Sequence, residues 1–425
     1  MMISFSIGNY RSFRHTQTLS MQPASITDFP DNVLKRERYE ALSTAVVYGA
    51  NSSGKSNLVS AMSTMKRIVL EGFEKRSVSE IPYDPFLLHP HGPEMPTHYE
   101  LIFWVNEIKY RYGFEADKSS IQAEWLFHTE KKTEKPLFLR VQDGIEVMRN
   151  FPEGKDLEEK TRDNVLFLAV VDQFNGKIAS AIMNWFRQFN IASGLSHNNY
   201  RAITFKMLED AKLNNILIDF YRDADLGFEK ITVEKRDFDP GELPTDLPES
   251  LIKQIVSDLD GKKMVSLKSV HKVYNDENEP IADIEFDVRS QESSGTNKLI
   301  DLSGPIFNAL MTGGVLVVDE LDAKLHPLLT LSIVKLFQNQ KINFNGAQLI
   351  FAVHDSKILS LCELRRDQIY FVEKDITGAS RLYSLVEYGN VRKDRSFEKD
   401  YISGRYGAIP IIEPFDKILE QWQEK

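Results

Sequence analysis

The spacing of apolar positions changes several times along the chain, and each change marks an element. Ile3-Ser4-Phe5-Ser6-Ile7 alternates with the two-residue repeat of a half-buried strand, turns at Gly8-Asn9, and is followed by a second short strand near Thr18-Leu19-Ser20-Met21, so a β-hairpin is expected. Residues 22–42, with Pro23, Pro30 and the run Lys35-Arg36-Glu37-Arg38, read as a loop crossing the surface. Ala45-Val46-Val47-Tyr48 is apolar without alternation, as a strand buried on both faces would be. From Leu58 to Phe73 the apolar residues Leu58, Ala61, Met62, Met65, Ile68 and Val69 recur at helical spacing.

Beyond a proline-rich stretch from Ile81 to Pro96, residues Tyr99–Val105 and Ile108–Phe114 alternate as two strands joined at Asn106-Glu107, and the sheet continues from Ile121 to Val141. Tyr110, Tyr112 and Phe114 fall on one face, with Trp104 on the neighbouring strand; a sheet packed on one side explains this better than a base-stacking platform. The pattern turns helical from about Glu153 to Asp210, including Val165–Val171 and Ile178–Phe189, and a further helix is expected from Phe205 to Tyr221. A short strand at Ile231-Thr232-Val233 and an acidic, proline-containing loop at 237–249 follow; the loop's carboxylate spacing fits no metal site. Neither an internal repeat nor a long heptad run occurs, which argues against a coiled-coil arm.

At 425 residues the chain has room for two or three domains, and 42% apolar with 27% charged residues is an ordinary globular balance. No apolar run approaches a membrane span and Met1–Phe5 lacks signal-peptide character, so a cytoplasmic protein with no membrane partner is expected. The single cysteine, Cys362, excludes an internal disulfide and reads as a buried thiol. A net charge of −10, from 62 acidic against 52 basic residues, leaves DNA only a local contact or one made through a partner.

Gly49-Ala50-Asn51-Ser52-Ser53-Gly54-Lys55-Ser56 fits G-x-x-x-x-G-K-[ST] between a strand pattern and a helix pattern, the context that a phosphate-binding loop needs. Its glycines let main-chain N–H groups close round a triphosphate at the positive end of a helix. Lys55 would neutralise the β- and γ-phosphates and Ser56 would ligate Mg²⁺, so ATP and Mg²⁺ are the expected cofactors. Val315-Leu316-Val317-Val318-Asp319-Glu320 is a buried-strand pattern ending in two carboxylates; Asp319 would hold Mg²⁺ through water and Glu320 would polarise the attacking water. Arg11 is a candidate for a nucleotide phosphate.

Three further stretches flank that strand: Gln291-Glu292-Ser293-Ser294-Gly295-Thr296-Asn297-Lys298, Leu321-Asp322-Ala323-Lys324-Leu325-His326-Pro327, and His354-Asp355-Ser356 after the apolar run Gln348–Val353. With them the sequence resembles the ABC-type ATPases of the RecF, SMC and OLD group. The resemblance implies an α/β ABC-type P-loop ATPase head with an antiparallel β subdomain and a helical insertion. It makes Ser294 and Gly295 part of a signature loop, Asp322 a D-loop residue and His354 the switch histidine. It also implies a homodimer or higher homo-oligomer in which the signature loop of one copy closes on ATP held by the phosphate loop of another.

Asn9-Tyr10-Arg11-Ser12-Phe13, Asn51, Asn57, Glu320-Leu321-Asp322 and Ser403-Gly404-Arg405-Tyr406-Gly407-Ala408-Ile409-Pro410 resemble, more narrowly, the abortive-infection ATPases typified by RloA and by the AriA subunit of the PARIS system. Residues 115–290 share only a general layout, no Q-loop glutamine is identified, and Ser-Ser-Gly-Thr stands where transporters carry Leu-Ser-Gly-Gly. OLD nucleases carry a TOPRIM domain after the ATPase, and the residues beyond His354 are too few for one, so any nuclease or toxin activity is expected on a separate effector chain.

The expected layout is an N-terminal ATPase lobe over 1–115, a β and helical insertion over 116–285, and a C-terminal ATPase lobe over 286–425. The function implied is an ATP-hydrolysing sensor or regulator of a separate effector in bacterial antiphage defence. A DNA-repair or DNA-end-binding ATPase shares the motifs, and so does a scaffold held together by ATP.

Overall fold

The apolar runs expected to be buried on both faces come together in one sheet. The computed structural model describes residues 1–36, 38–72, 80–192, 198–239, 263–388 and 396–410. Glu37, Phe73, residues 240–249 of the acidic loop and Arg392-Lys393-Asp394-Arg395 lie outside the described residues. In chain order the strands are β1 (Met2–Gly8), β2 (Gln17–Ser20), β3 (Val33–Arg36), β4 (Tyr39–Leu42), β5 (Thr44–Tyr48), β6 (Thr97–Val105), β7 (Ile108–Ala116), β8 (Ile121–Thr129), β9 (Lys135–Val141), β10 (Gly144–Val147), β11 (Phe189–Ala192), β12 (Lys230–Asp237), β13 (Lys263–Tyr274), β14 (Pro280–Asp287), β15 (Val315–Val318), β16 (Gln348–Ala352), β17 (Ile369–Lys374) and β18 (Ser380–Ser384). The chain divides into two compact units, Met1–Ser196 with Asn308–Ala323 and Pro327–Lys425, and His197–Phe307 with Lys324–His326.

In the first unit, β11-β15-β16-β5-β17-β18 form a sheet whose first five strands run parallel and whose last is antiparallel. Every residue of β5, β15 and β16 is buried, which is why these strands read as unbroken apolar runs. The helix Lys55–Glu71 turns Leu58, Ala61, Met62, Met65 and Ile68 inward. An antiparallel sheet, β10-β9-β8-β7-β6-β1-β2, belongs to the same unit. Phe5 pairs with Leu101, Leu101 with Tyr112 and Tyr112 with Leu126, so one apolar row crosses four strands. Tyr110, Tyr112 and Phe114 are buried, as expected of core residues. Phe103 stacks on Trp185 with ring centroids 4.4 Å apart, whereas Trp104 points to the other face and stacks on Tyr39.

Polar side chains fix how the pieces meet. The buried amide of Gln348 accepts from the Met2 N–H (2.6 Å) and donates to the carbonyls of Met2 (3.0 Å) and Leu42 (3.0 Å), joining β16 to the start of β1 and the end of β4. Glu124, fully buried on β8, accepts from the N–H groups of Phe167 (2.6 Å) and Leu168 (3.1 Å) and from the Tyr112 hydroxyl (2.9 Å). That carboxylate sets where the helix Phe167–Gln173 begins. Residues 155–166, expected to be helical, are therefore turns. Cys362 is buried, and burial pushes its thiol up to about 12.

Other departures have local causes. The stretch 22–42 contains the hairpin β3–β4, whose four-residue strands are too short to show alternation yet bury Val33, Leu34, Ala41 and Leu42. The helix Lys177–Gln188 is followed at once by β11 on the sheet edge, a strand hidden behind an amphipathic helix. In the second unit the helix expected at 205–221 is two, Asn198–Glu209 and Ala211–Asp223, split where the Asp210 carboxylate accepts from the N–H groups of Lys212 (2.9 Å) and Leu213 (3.1 Å). These helices share a core with β12-β13-β14 through Leu217, Tyr221, Phe228, Ile231 and Leu267. The β13–β14 hairpin went unanticipated because most of β14 is exposed and its polar residues break the alternation. No helix among the described residues is long and apolar enough to cross a membrane.

Replacing Gln348 by Leu leaves three buried main-chain groups unpaired, so unfolding in urea should lose about 2–4 kcal/mol of stability.

Candidate functional site

The chain leaves β5 at Tyr48 through the glycine-bearing loop and enters the helix Lys55–Glu71. Gly54, the residue before that helix, has φ 122, and a Cβ there would stand 2.5 Å from Ser380 Oγ and 2.9 Å from Ser12 Oγ. At Gly49 a Cβ would collide with the Val372 carbonyl of β17. Only glycine fits either place. The Ser53 N–H donates to Ala50 O (3.1 Å), closing the turn, while Asn51 and Ser52 are exposed on its outside.

Lys55 is buried within the loop, and its Nζ donates to the carbonyls of Gly49 (2.7 Å) and Ala50 (3.2 Å). Burial holds the ammonium below the usual lysine range, against the upward pull of Asp319, Asp322 and Glu320. Four of the singled-out residues thus share one electrostatic neighbourhood. Ser56 stands exposed at the helix start. The Asn57 amide is engaged by Ser12, donating to its Oγ at 2.7 Å.

The turn Asn9–Phe13 is anchored from both sides. Asn9 donates to the carbonyls of Gly92 (3.0 Å) and Met95 (2.6 Å), and the Tyr10 hydroxyl meets Ser60 Oγ (2.9 Å) and Thr64 Oγ1 (3.1 Å) on the helix after the loop. Arg11 is exposed and pairs with Asp84 at 3.1 Å. The residue of this turn that touches the phosphate loop is Ser12, and it does so together with Ser380 from the first position of β18. Neither serine was singled out from the sequence. Ser12 belongs to the Asn9–Phe13 motif, whereas Ser380 sits in no motif.

On the acidic side, β16 lies between β15 and β5, which sets the two strands about 10 Å apart with one strand between them. Asp319 is buried, and its Oδ1 has no hydrogen-bond partner among the described residues. Glu320 takes the left-handed conformation at φ 50, a rare state for a side chain of this size. The Leu321 N–H donates to Ala352 O (3.0 Å), drawing the chain back across β16. Asp322 Oδ2 then accepts from the N–H groups of His354 (2.8 Å) and Asp355 (2.7 Å). The structure thereby joins two of the predicted residues: the carboxylate of Asp322 holds the main chain that carries His354.

An orphaned buried carboxylate oxygen and a serine hydroxyl are hard oxygen donors of the kind Mg²⁺ takes, with most of its remaining shell filled by water and phosphate. Among the described residues no group of three or more His, Cys, Asp or Glu side chains forms a metal cage.

Ser294 and Gly295 lie in the second unit, at the start of the helix Ser294–Thr312. Ser293 Oγ accepts from the Thr296 N–H (3.1 Å), in the manner of a helix cap. The buried Asn297 amide braces the loop by donating to the carbonyls of Val288 (2.8 Å), Glu292 (3.2 Å) and Ser293 (3.1 Å). Asn297 belongs to the Gln291–Lys298 stretch, in which only Ser294 and Gly295 are expected to meet nucleotide.

A phosphate-loop glycine pair on a central parallel strand, a lysine inside the loop and a carboxylate-ended strand two places away in the sheet make this an α/β domain of the P-loop ATPase type. The chain belongs to the family described as "AAA domain, putative AbiEii toxin, Type IV TA system", whose model matches residues 45–360. Among curated proteins none matches the chain.

Removing the Asp322 carboxylate by Asp322→Ala frees two amides held by charge-assisted bonds. Hydrogen exchange at His354 and Asp355 should then quicken by about 10–100-fold, with the amides of β5 unchanged.

Proposed function

We propose that the chain binds and hydrolyses ATP with Mg²⁺, and that this cycle regulates a separate effector chain in antiphage defence. The observation that carries the reading is the gathering of Lys55, Asp319, Glu320 and Asp322 around a glycine-built loop at one end of the parallel sheet. The Lys55 ammonium, now bonded to the Gly49 and Ala50 carbonyls, transfers to the β- and γ-phosphates, where its charge is matched. Gly49, Asn51, Ser52, Ser53, Gly54 and Asn57 line or brace the cradle. Ser56 would hold Mg²⁺ directly and Asp319 through water, and the ion would supply charge neutralisation at the phosphates. Glu320 orients the attacking water, and its constrained backbone limits the directions its carboxylate can take. His354, exposed on a loop that Asp322 fixes, faces the developing charge on the γ-phosphate.

Ser294 and Gly295 act on the nucleotide of a second copy, so ATP holds a dimer together and hydrolysis loosens it. Exposure of Ser293 and Ser294 at a helix start supports this. Arg11 joins the nucleotide only by releasing Asp84, an exposed pair that costs little to break. The effector role draws support from the family description, which names a toxin and a toxin–antitoxin system.

Glu320→Gln is expected to keep ATP affinity within about threefold and to lose hydrolysis by about 100-fold or more, whereas Lys55→Ala loses binding. Equal turnover in wild type and Glu320→Gln would remove Glu320 from the mechanism. Glu320→Gln purified from its host in Mg-ATP should carry a stoichiometric nuclease-like or toxin-like chain. Recovery of DNA alone would favour a repair ATPase.

A further inference from the structure

The Ser53–Gly54 peptide is held by a chain of hydrogen bonds reaching it from two distant parts of the sequence. Ser380 Oγ lies 2.5 Å from the Ser53 carbonyl and 2.7 Å from Ser12 Oγ, and Asn57 Nδ2 lies 2.7 Å from Ser12 Oγ. The Ser380 N–H also donates to Ser12 O (2.6 Å), which fixes β18 against the Asn9–Phe13 turn. Both serines are buried.

A carbonyl oxygen can only accept, so the bond at Ser53 takes its proton from Ser380. The Asn57 amide donates to Ser12 Oγ, and Ser380 Oγ is the donor placed against both Ser12 Oγ and the Ser53 carbonyl. In a trans peptide the carbonyl and the following N–H point opposite ways. Holding Ser53 O toward Ser380 therefore turns the Gly54 N–H away from it, to the other side of the loop. Gly54 has no Cβ to resist rotation, so without this bond the peptide flips readily. A flipped peptide would present a carbonyl oxygen to a phosphate and repel it.

We infer that Ser380 is a positioning residue, with Ser12 behind it, that locks the Ser53–Gly54 peptide in the orientation that accepts an anion. This rests on the ATP-binding reading above. The bond acts on nucleotide affinity and leaves the reacting atoms alone, so its loss separates binding from turnover.

Ser380→Ala should raise both the Kd and the KM for ATP about tenfold, with kcat at saturation within about twofold of wild type and the melting temperature little changed. Ser12→Ala leaves the Ser380 hydroxyl free to donate to Ser53 and should cost about two- to threefold. The double variant should bind no worse than Ser380→Ala alone, because both act through one carbonyl. Wild-type affinity in folded Ser380→Ala, a fall in kcat without a change in KM, or losses that multiply in the double variant would each overturn the assignment. Should Ser380→Ala not fold, Ser380→Cys keeps the volume with a much weaker donor and carries the same expectation, and wild-type affinity there is equally fatal. ATP binding that Lys55→Ala abolishes shows that the nucleotide reading stands whatever the serines do; a wild-type protein that binds no ATP overturns both.

Discussion

The chemistry of this chain depends on three neighbouring parallel strands that finish at one edge of a sheet. β5 delivers the glycine loop, β15 delivers Asp319 and Glu320, and β16, between them, delivers His354. Parallel strands have all their C-terminal ends on one side, so residues far apart in sequence arrive together without any loop having to reach. Burial on both faces keeps the three strands in register. The price of that burial is a strict apolar requirement at nearly every position of the strands themselves.

Around this edge the polar contacts work in pairs. Asp322 reaches from the acidic turn to the His354 loop, and Ser380 reaches from β18 to the phosphate loop. Each ties one functional segment to the main chain of another, so the segments keep their spacing as a set. Lys55 sits where these influences meet. Burial depresses its basicity while three carboxylates counter that effect.

What could be read from the sequence follows from how local each signal is. β5, β15 and β16 were legible because doubly buried strands are apolar at nearly every residue, Thr44 and Gln348 being the exceptions, and the Gly49–Ser56 motif because its glycines, lysine and serine fall within eight positions. Hairpin β3–β4 and edge strand β11 were not legible, since four residues carry too little periodicity to stand out from a loop or from the end of a helix. The start of the helix Phe167–Gln173 was set by Glu124, a residue on another element, which no local rule could supply. Ser380 was invisible for the same reason: its partner Ser12 lies 368 positions away. Arg11 showed the converse, since a motif arginine was easy to notice while the contact with the loop belonged to the serine beside it.

The order of strands also has a meaning in time. β5 is made early, but both of its neighbours in the sheet, β16 and β17, are encoded far later, and the Gln368 amide that bonds Thr44 lies 324 positions downstream. On the ribosome, β5 therefore waits with two open edges while the antiparallel sheet, built mainly from consecutive strands, has its partners at hand. The phosphate loop has no walls until β17 and β18 emerge. A chain that ends before β18 therefore lacks the Ser380 contact to the phosphate loop.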